Sequence, residues 1–463
     1  MATEHLSPLD LAFWRIESAA HPMHLGALAV FEAAPGAAPG PDSAPGPGSG
    51  PDPGSAPDPA VRAAALLTAR CSAVPGLRRR IHDVLLPVGA AAWASDADFD
   101  PARHVFLVRT PDPEAAAGPL MARPLDRDLP PWEAHVLAGP DPHSFAVLFK
   151  FHHALADGLG ALALAAMLFD EGPPARGPAR GPAPVPSARP AVAPARRSFP
   201  GMLAARVQDV GQALEIGASV ARAGLPLGVP AALTATPART GTRAVAGLAL
   251  DLDDVNRIRK VAGGTVNDVL IALVAGALRR WLLGRGDPAP EGAGPRALIP
   301  VSRRRPGGAA KYGNRLSGYL LRLPLAEPDP LLRLDRVRLG MDRNKEAGPA
   351  RGAGAVALLA DHVHPLGHRL GGPLVAQAAR MLFDILVTSV PLPGFTFSLG
   401  GSRVREVYPL APLARGHSLA VAVSTYKGTV HYGLVADAAA VPDLAALAQA
   451  LRAELDELVR EVS

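Results

Sequence analysis

Cysteine is almost missing from this 463-residue chain: Cys71 stands alone, which excludes an intramolecular disulfide and fits a reducing compartment. Aromatic residues are scarce at 5%, and no helical or aromatic reader accompanies the arginines. These are scattered, as at Arg78-Arg79-Arg80, Arg303-Arg304-Arg305 and through the middle of the chain. A nucleic-acid partner is therefore not expected, and the formal net charge of +5 reads as a solvated surface with some attraction for anions. No apolar run reaches the roughly 18 residues that a membrane-spanning helix needs. The start, Met1-Ala2-Thr3-Glu4-His5, shows neither the cationic beginning nor the apolar stretch of a secretion signal. Any contact with lipid is expected from the surface.

Charged residues make up only 19% of the chain, while 48% are apolar, enough for a substantial core in each of two domains. Two stretches cannot contribute to such a core. Residues 33–59 are almost entirely Ala, Pro, Gly, Ser and Asp, and read as a disordered insert within a domain. Residues 171–200 are rich in Pro, Ala and Arg, and read as a linker. This places an N-terminal domain at 1–170 and a helical connection (202–223) with a C-terminal domain at 201–463. Apolar periodicity predicts helices over 8–17, 60–72, 159–169, 253–261, 266–283 and 444–461. Strands are predicted over 25–31, 135–137, 144–151, 244–250, 296–301, 318–323, 404–410, 419–426 and 429–435, the last two joined by a Lys427-Gly428 hairpin turn. The fold class is an α/β mixture in both halves.

The most specific feature is Phe151-His152-His153-Ala154-Leu155-Ala156-Asp157-Gly158, set between an apolar strand and an apolar helix. Side chains alternate across a strand, so adjacent histidines at its end point in opposite directions. One can face a cavity while the other packs inward. Asp157 can bond back into the turn, hold a basic partner, or cap the helix that follows, and Gly158 permits a close backbone approach. An imidazole with an ordinary pKa near 6.5 suits removal of a hydroxyl proton at neutral pH. Metal binding fits less well, because adjacent histidines do not easily share one ion and no second cluster of ligands is visible.

His-His-x-x-x-Asp-Gly after an apolar strand resembles the signature of the coenzyme A-dependent acyltransferase superfamily, which includes chloramphenicol acetyltransferase, condensation domains and the bacterial wax ester synthase/diacylglycerol acyltransferase family. The flanks resemble the last of these. They include Leu6-Ser7-Pro8-Leu9-Asp10 with Phe13-Trp14, then His21-Pro22-Met23-His24-Leu25-Gly26, then Arg123-Pro124-Leu125-Asp126 with Pro131-Trp132-Glu133. Thr265-Val266-Asn267-Asp268-Val269, Ile299-Pro300-Val301-Ser302, Gly313-Asn314-Arg315 and Gly433-Leu434-Val435-Ala436-Asp437 extend the likeness over nearly the whole chain. Two departures bear on the substrate more than on the reaction. Pro131 stands where the family has leucine, and Ser389-Val390-Pro391-Leu392-Pro393-Gly394 stands where it often has Asn-Val-Pro-Gly-Pro.

The resemblance implies two similar chloramphenicol-acetyltransferase-like domains, each a mixed sheet with flanking helices, and an active-site tunnel between them. It implies His153 as general base, His152 as structural support, Asp157 orienting the loop and Gly158 making the tight turn. Asn267 is implied as a donor to the oxyanion or acceptor, with a helix cap as the alternative reading, and Asp268 beside it as a further candidate with a structural role as its reading. Ser424 and Thr425 lie on a late strand where some superfamily members keep a hydroxyl facing the intermediate. Acyl-CoA would be the co-substrate, a hydroxylated lipid such as diacylglycerol or a fatty alcohol the acceptor, with no tightly bound cofactor and no metal. The expected location is the cytoplasm, with a peripheral seat on the inner membrane surface or on lipid bodies suggested by the lipid substrates.

Three other readings compete. The same fold could use an acyl group carried on a carrier protein in a biosynthetic pathway. It could bind lipid without turnover. Gly416-His417-Ser418-Leu419-Ala420 imitates the nucleophile elbow of a serine hydrolase, but a strand-like run follows the serine where such an elbow needs a helix.

Overall fold

The computed structural model describes residues 4–33, 58–170, 233, 241–287, 292, 294–302, 316–347 and 382–463. The 171–200 linker, the 202–223 helix, Arg303-Arg304-Arg305, Gly313-Asn314-Arg315 and nearly all of the 33–59 insert lie outside them.

The first half begins with β1 (Glu4–His5), α1 (Pro8–Ile16) and β2 (His24–Glu32), followed by α2 (Pro59–Cys71), β3 (Arg79–Asp83), β4 (Ala91–Ser95) and β5 (Val105–Arg109). It continues with α3 (Pro113–Ala122), β6 (Trp132–Ala138), β7 (Ser144–His152) and α4 (Gly158–Ala166). The second half contains β8 (Arg243–Asp251), α5 (Leu252–Ala262), α6 (Val266–Gly284), β9 (Arg296–Ser302), β10 (Leu316–Arg322) and α7 (Pro330–Ala347). It ends with β11 (Ile385–Pro391), β12 (Ser398–Leu399), β13 (Ser402–Leu410), β14 (Leu419–Tyr426), β15 (Thr429–Asp437) and α8 (Leu444–Glu461).

Two six-stranded mixed sheets carry the molecule, in the orders β12-β13-β2-β7-β6-β5 and β10-β9-β11-β14-β15-β8, with a small sheet β1-β4-β3 beside the first. This is the α/β architecture with two similar units that the sequence implies. The first sheet, however, is completed from the second half of the chain: β13 pairs antiparallel with β2, Tyr408 opposite Leu28. At the β14–β15 hairpin, Lys427 and Gly428 both take positive φ, +49° and +81°, which is the twist a two-residue turn requires.

Helices cover both faces of the first sheet and one face of the second. Leu67 and Cys71 of α2 and Leu164 of α4 pack on Val136, Val147 and Phe149 of the first sheet. On its other face Ala117 and Met121 of α3 meet Leu28 and Leu148. The second sheet rests on α5, α6, α7 and α8, where Val269, Leu273, Leu447 and Leu451 join Val421, Val423 and Leu434 in the largest core. The opposite face of β14 presents Ala420, Ala422 and Ser424, and β13 lies against it. The approach is close: a Cβ on Gly433, which pairs with Ala422, would lie 1.9 Å from the Pro409 carbonyl oxygen.

Candidate active site

The two sheets and α4 enclose a cavity of about 510 Å3. Its walls are apolar, with Leu25, Ala27, Phe149 and Phe151 from the first sheet and Ile299, Leu386 and Val390 from the second. Few polar residues line it: His153, Asp157, Asn267, Thr388, Ser389 and Ser424. A large apolar cavity with a handful of convergent polar groups is the usual form of a small-molecule site.

The two histidines part as strand alternation requires. His152 ends β7 and is 1% exposed. Its Nδ1 accepts the Ala154 N–H at 3.0 Å, so the ring proton sits on Nε2, which faces Glu17 Oε2 at 3.4 Å. Trp14 meets the same ring edge-on at 5.0 Å. His153, half-buried, lines the cavity. Its backbone N–H donates to the Met23 carbonyl at 2.8 Å, and its ring stacks on Phe13 at 4.1 Å between centroids.

Glu17, which the sequence reading passed over, ties this arrangement together. Its side chain is only 5% exposed. Oε1 accepts the Met23 N–H at 3.0 Å and Oε2 accepts Arg127 Nη1 at 3.0 Å. Burial pushes the Glu17 carboxyl up, but the adjoining His152 ring, the Met23 N–H and the Arg127 guanidinium outweigh it and hold the carboxyl below its usual value. Arg127 also lies over the Trp14 ring at 3.6 Å and donates to the Trp14 carbonyl. One carboxylate thus lies against the His152 ring and holds the Met23 N–H, while the Met23 carbonyl, one peptide further on, holds His153. The signal in the sequence was a glutamate between two aromatic-rich motifs, but nothing local marked it as buried.

The strand leading to the histidines is pinned as well. Lys150, fully buried, donates from Nζ to Glu133 Oε2 at 3.0 Å and to the Arg123 carbonyl at 2.9 Å. Burial would raise the Glu133 carboxyl, yet hydrogen bonds from His135 and Lys150 bring it down to about 2. His24, paired across β2–β7 with His152, is lowered to about 3 by burial and by the Lys150 charge, and so stays neutral.

The remaining residues singled out from sequence divide. Asp157 caps α4, accepting the Gly160 N–H at 2.9 Å, and also lines the cavity. Gly158 permits close approach of the other half of the molecule, since a Cβ there would lie 3.0 Å from Val390 Cγ2. Asn267 lines the cavity and is not the helix cap; Thr265 is. Asp268 belongs to that cap instead of the cavity wall: buried, it accepts from the Thr265 N–H and hydroxyl at 2.8 Å in a reciprocal capping box. Ser424 reaches the cavity, but its hydroxyl donates to the Val407 carbonyl of β13 at 2.7 Å, so its hydrogen is committed. Thr425 points the other way along β14 and does not line the cavity. Thr388 on β11 does, and was not foreseen.

Ser418 immediately precedes strand β14 and is fully buried, so the strand–nucleophile–helix order of a hydrolase elbow is not present there. Among the described residues no group of three His, Cys, Asp or Glu could hold a metal ion. No single helix among them is long and apolar enough to cross a membrane.

Comparison with known proteins agrees with this architecture. Residues 6–270 match the wax ester synthase/diacylglycerol acyltransferase catalytic domain, and residues 312–459 match the C-terminal domain of the same family. A Mycobacterium tuberculosis protein named probable diacylglycerol O-acyltransferase is 28% identical over 98% of this chain and 96% of its own. A second of the same name and organism is 29% identical over 99% of each. Among solved structures, the wax ester synthase/diacylglycerol acyltransferase of Marinobacter aquaeolei superposes with a TM-score of 0.68 at 23% identity, covering 99% of both chains. The starter condensation domain of rhizomide synthetase shares the fold at a TM-score of 0.53 and 16% identity, over 100% of this chain and 94% of that one.

Proposed function

Since the chain belongs to the wax ester synthase/diacylglycerol acyltransferase family and is an acyltransferase, we propose that it moves a long-chain acyl group from coenzyme A to the hydroxyl of diacylglycerol or a fatty alcohol. The observation that carries this reading is the placing of His153: an imidazole held by its own backbone and by Phe13, facing an apolar cavity between two sheets. The imidazole takes the hydroxyl proton as the oxygen attacks the thioester carbonyl. The tetrahedral oxyanion collapses, the carbon–sulfur bond breaks, and the thiolate leaves with the proton returned from the imidazolium. Direct attack needs no acyl-enzyme. The cavity serves as the middle of a tunnel into which thioester and acceptor enter from opposite sides.

Asn267 serves as oxyanion donor through its side-chain amide, with the Thr388 hydroxyl as the rival donor at the cavity and the Ser424 hydrogen engaged with Val407. His152, Asp157 and Gly158 position the loop. The test is free-thiol release from acyl-CoA with diacylglycerol, long-chain alcohols and small amines as acceptors, with an acyl-loaded carrier protein as rival donor. His153→Ala should cut turnover by roughly 10²–10⁴-fold while the melting temperature stays close to that of the parent. A variant that retains turnover removes the general-base role. Faster turnover with the carrier-bound donor would favour the carrier-dependent biosynthetic reading.

A further inference from the structure

The hairpin between β3 and β4 ends in a run of apolar side chains left in water. Leu85 is 92% exposed, Leu86 77% and Val88 48%, with exposed Pro87 between them. Isolated exposed leucines are ordinary, but a contiguous apolar run at a loop tip is an error unless it has a partner. The turn itself does not ask for leucine: it closes on Gly89, whose φ is +87°.

The β3 arm carries two arginines: Arg79 is paired with Glu4 of β1 at 2.6 Å, and Arg80 is exposed. Along β3, Ile81 packs inward against Leu11 and Trp14, while Arg80 and His82 are exposed. Asp83 is the one acid between residues 79 and 95, and Arg15 neutralises it at 2.6 Å. Trp93 on β4 carries the Arg79 guanidinium over its ring at 4.9 Å. An apolar tip with the Arg80 guanidinium and the Trp93 indole behind it matches the layering of a membrane interface: hydrocarbon, then aromatic and cationic groups at the anionic headgroups.

We propose that Leu85, Leu86, Pro87 and Val88 insert into an anionic phospholipid bilayer surface, with Arg80 meeting its headgroups. This surface deepens the acyl-transfer reading and rests on it for the lipid character of the acceptor. The tip and the catalytic loop share one helix. Arg15 of α1 donates to Asp83 and to the Gly89 carbonyl at the hairpin's base, while Phe13 of the same helix stacks on His153. A protein seated by this tip holds its reacting imidazole one helix away from the lipid that supplies the alcohol.

The test is flotation of the full chain with phosphatidylcholine vesicles, with and without phosphatidylglycerol. Wild type should float with the anionic vesicles. Leu85→Glu/Leu86→Glu should weaken partition by about tenfold or more, and Arg80→Glu by about fivefold on anionic vesicles only. The double variant should keep its turnover with a water-soluble alcohol and lose it with vesicle-borne diacylglycerol. Should the double change disturb folding, Val88→Glu reads the same surface. Wild type that stays in solution, or a double variant that floats as wild type does, overturns the proposal. So does a double variant whose main change is a fall in sedimentation mass, since that would assign the tip to a second copy of the chain. Flotation is read without turnover, so a protein that floats through this tip but transfers no acyl group would sink the acyl-transfer reading and leave the membrane contact standing.

Discussion

Replacing Glu17 by glutamine keeps shape and size but removes one acceptor, and the structure says which contacts must suffer. The carboxylate receives the Met23 N–H on Oε1 and the Arg127 guanidinium on Oε2, with His152 Nε2 beside the latter. A glutamine has one oxygen and one NH2, so either orientation turns an N–H toward another N–H. Leaving a buried donor without an acceptor costs about 1–3 kcal/mol. Arg127 is 43% exposed, so water offsets part of its loss, and the low end of that range applies to it. The backbone of Met23, a buried residue, has no such relief. Its carbonyl holds the His153 N–H at 2.8 Å, and a displacement of about 1 Å at a catalytic group costs on the order of 10²-fold in rate. Glu17→Gln should therefore lower kcat by about 10²-fold, leave KM for acyl-CoA nearly unchanged, and destabilise by about 1–3 kcal/mol. Steady-state thiol release and urea unfolding read the two effects separately. A kcat equal to wild type would refute the argument that Glu17 positions His153. The pH dependence carries a sign as well. The folded carboxyl lies below its ordinary value of 4.5, so its stabilisation is present above that value and is lost as pH falls through the depressed one. The glutamine variant should lack this component of the acid limb.

Three further outcomes follow from the seam between the sheets and from the cavity walls. Gly433→Ala should destabilise by about 3 kcal/mol or more or fail to fold, because the new methyl would meet the Pro409 carbonyl, whereas Gly394→Ala, with nothing within 4 Å, should leave the melting temperature unchanged. Ala27→Leu, projecting into the cavity from β2, should shift preference toward shorter chains by about 10-fold or more per lost methylene pair while leaving stability near wild type; an unchanged chain-length profile in a competition assay would contradict the assignment of that wall. Ser424→Ala should cost about 1 kcal/mol through the lost bond to Val407 and keep kcat within a few fold; a 10²-fold loss would restore the serine as an oxyanion donor.

Much of this was legible in the chain because local rules agreed with the fold. The helix at 444–461 and the strand at 419–426 coincide with α8 and β14 at both ends, and Lys427-Gly428 makes the turn that its composition demands. The motif at 151–158 announced its two-sided geometry through strand alternation alone. What escaped lacked a local signal. The short strands β3 and β4 and the strand β5 gave no clear period, and α3 contains Pro119, which argues against a helix on sequence grounds. The entry of β13 into the first sheet depends on pairing across hundreds of residues, which no window of sequence reports. Asp268, a candidate beside Asn267 for the site or for a structural role, takes the structural one, because a Thr-x-x-Asp spacing is a cap, and the cap is what formed.

The cavity itself arises from a size alternation that periodicity averages away. Along β14, Leu419, Val421 and Val423 face the helices, whereas Ala420, Ala422 and Ser424 face β13. Both sets are buried, so by hydropathy the strand is uniformly apolar, as a strand covered on both faces should be. The difference lies in volume. Large residues fill the helix-side core at close-packed density, and the small row on the other face, continued by Gly433 and Gly247 on the neighbouring strands, lets β13 approach until backbone meets backbone. That close seam fixes the two sheets against each other at one edge. Where Gly158 at the start of α4 meets Val390 of β11, the loop after β7 lies beside an open space between the sheets. The rigid seam and the open site are therefore two parts of one device. A change that relaxes the seam should be felt at His153 without touching it, through the width of the gap that the imidazole and its substrates must share.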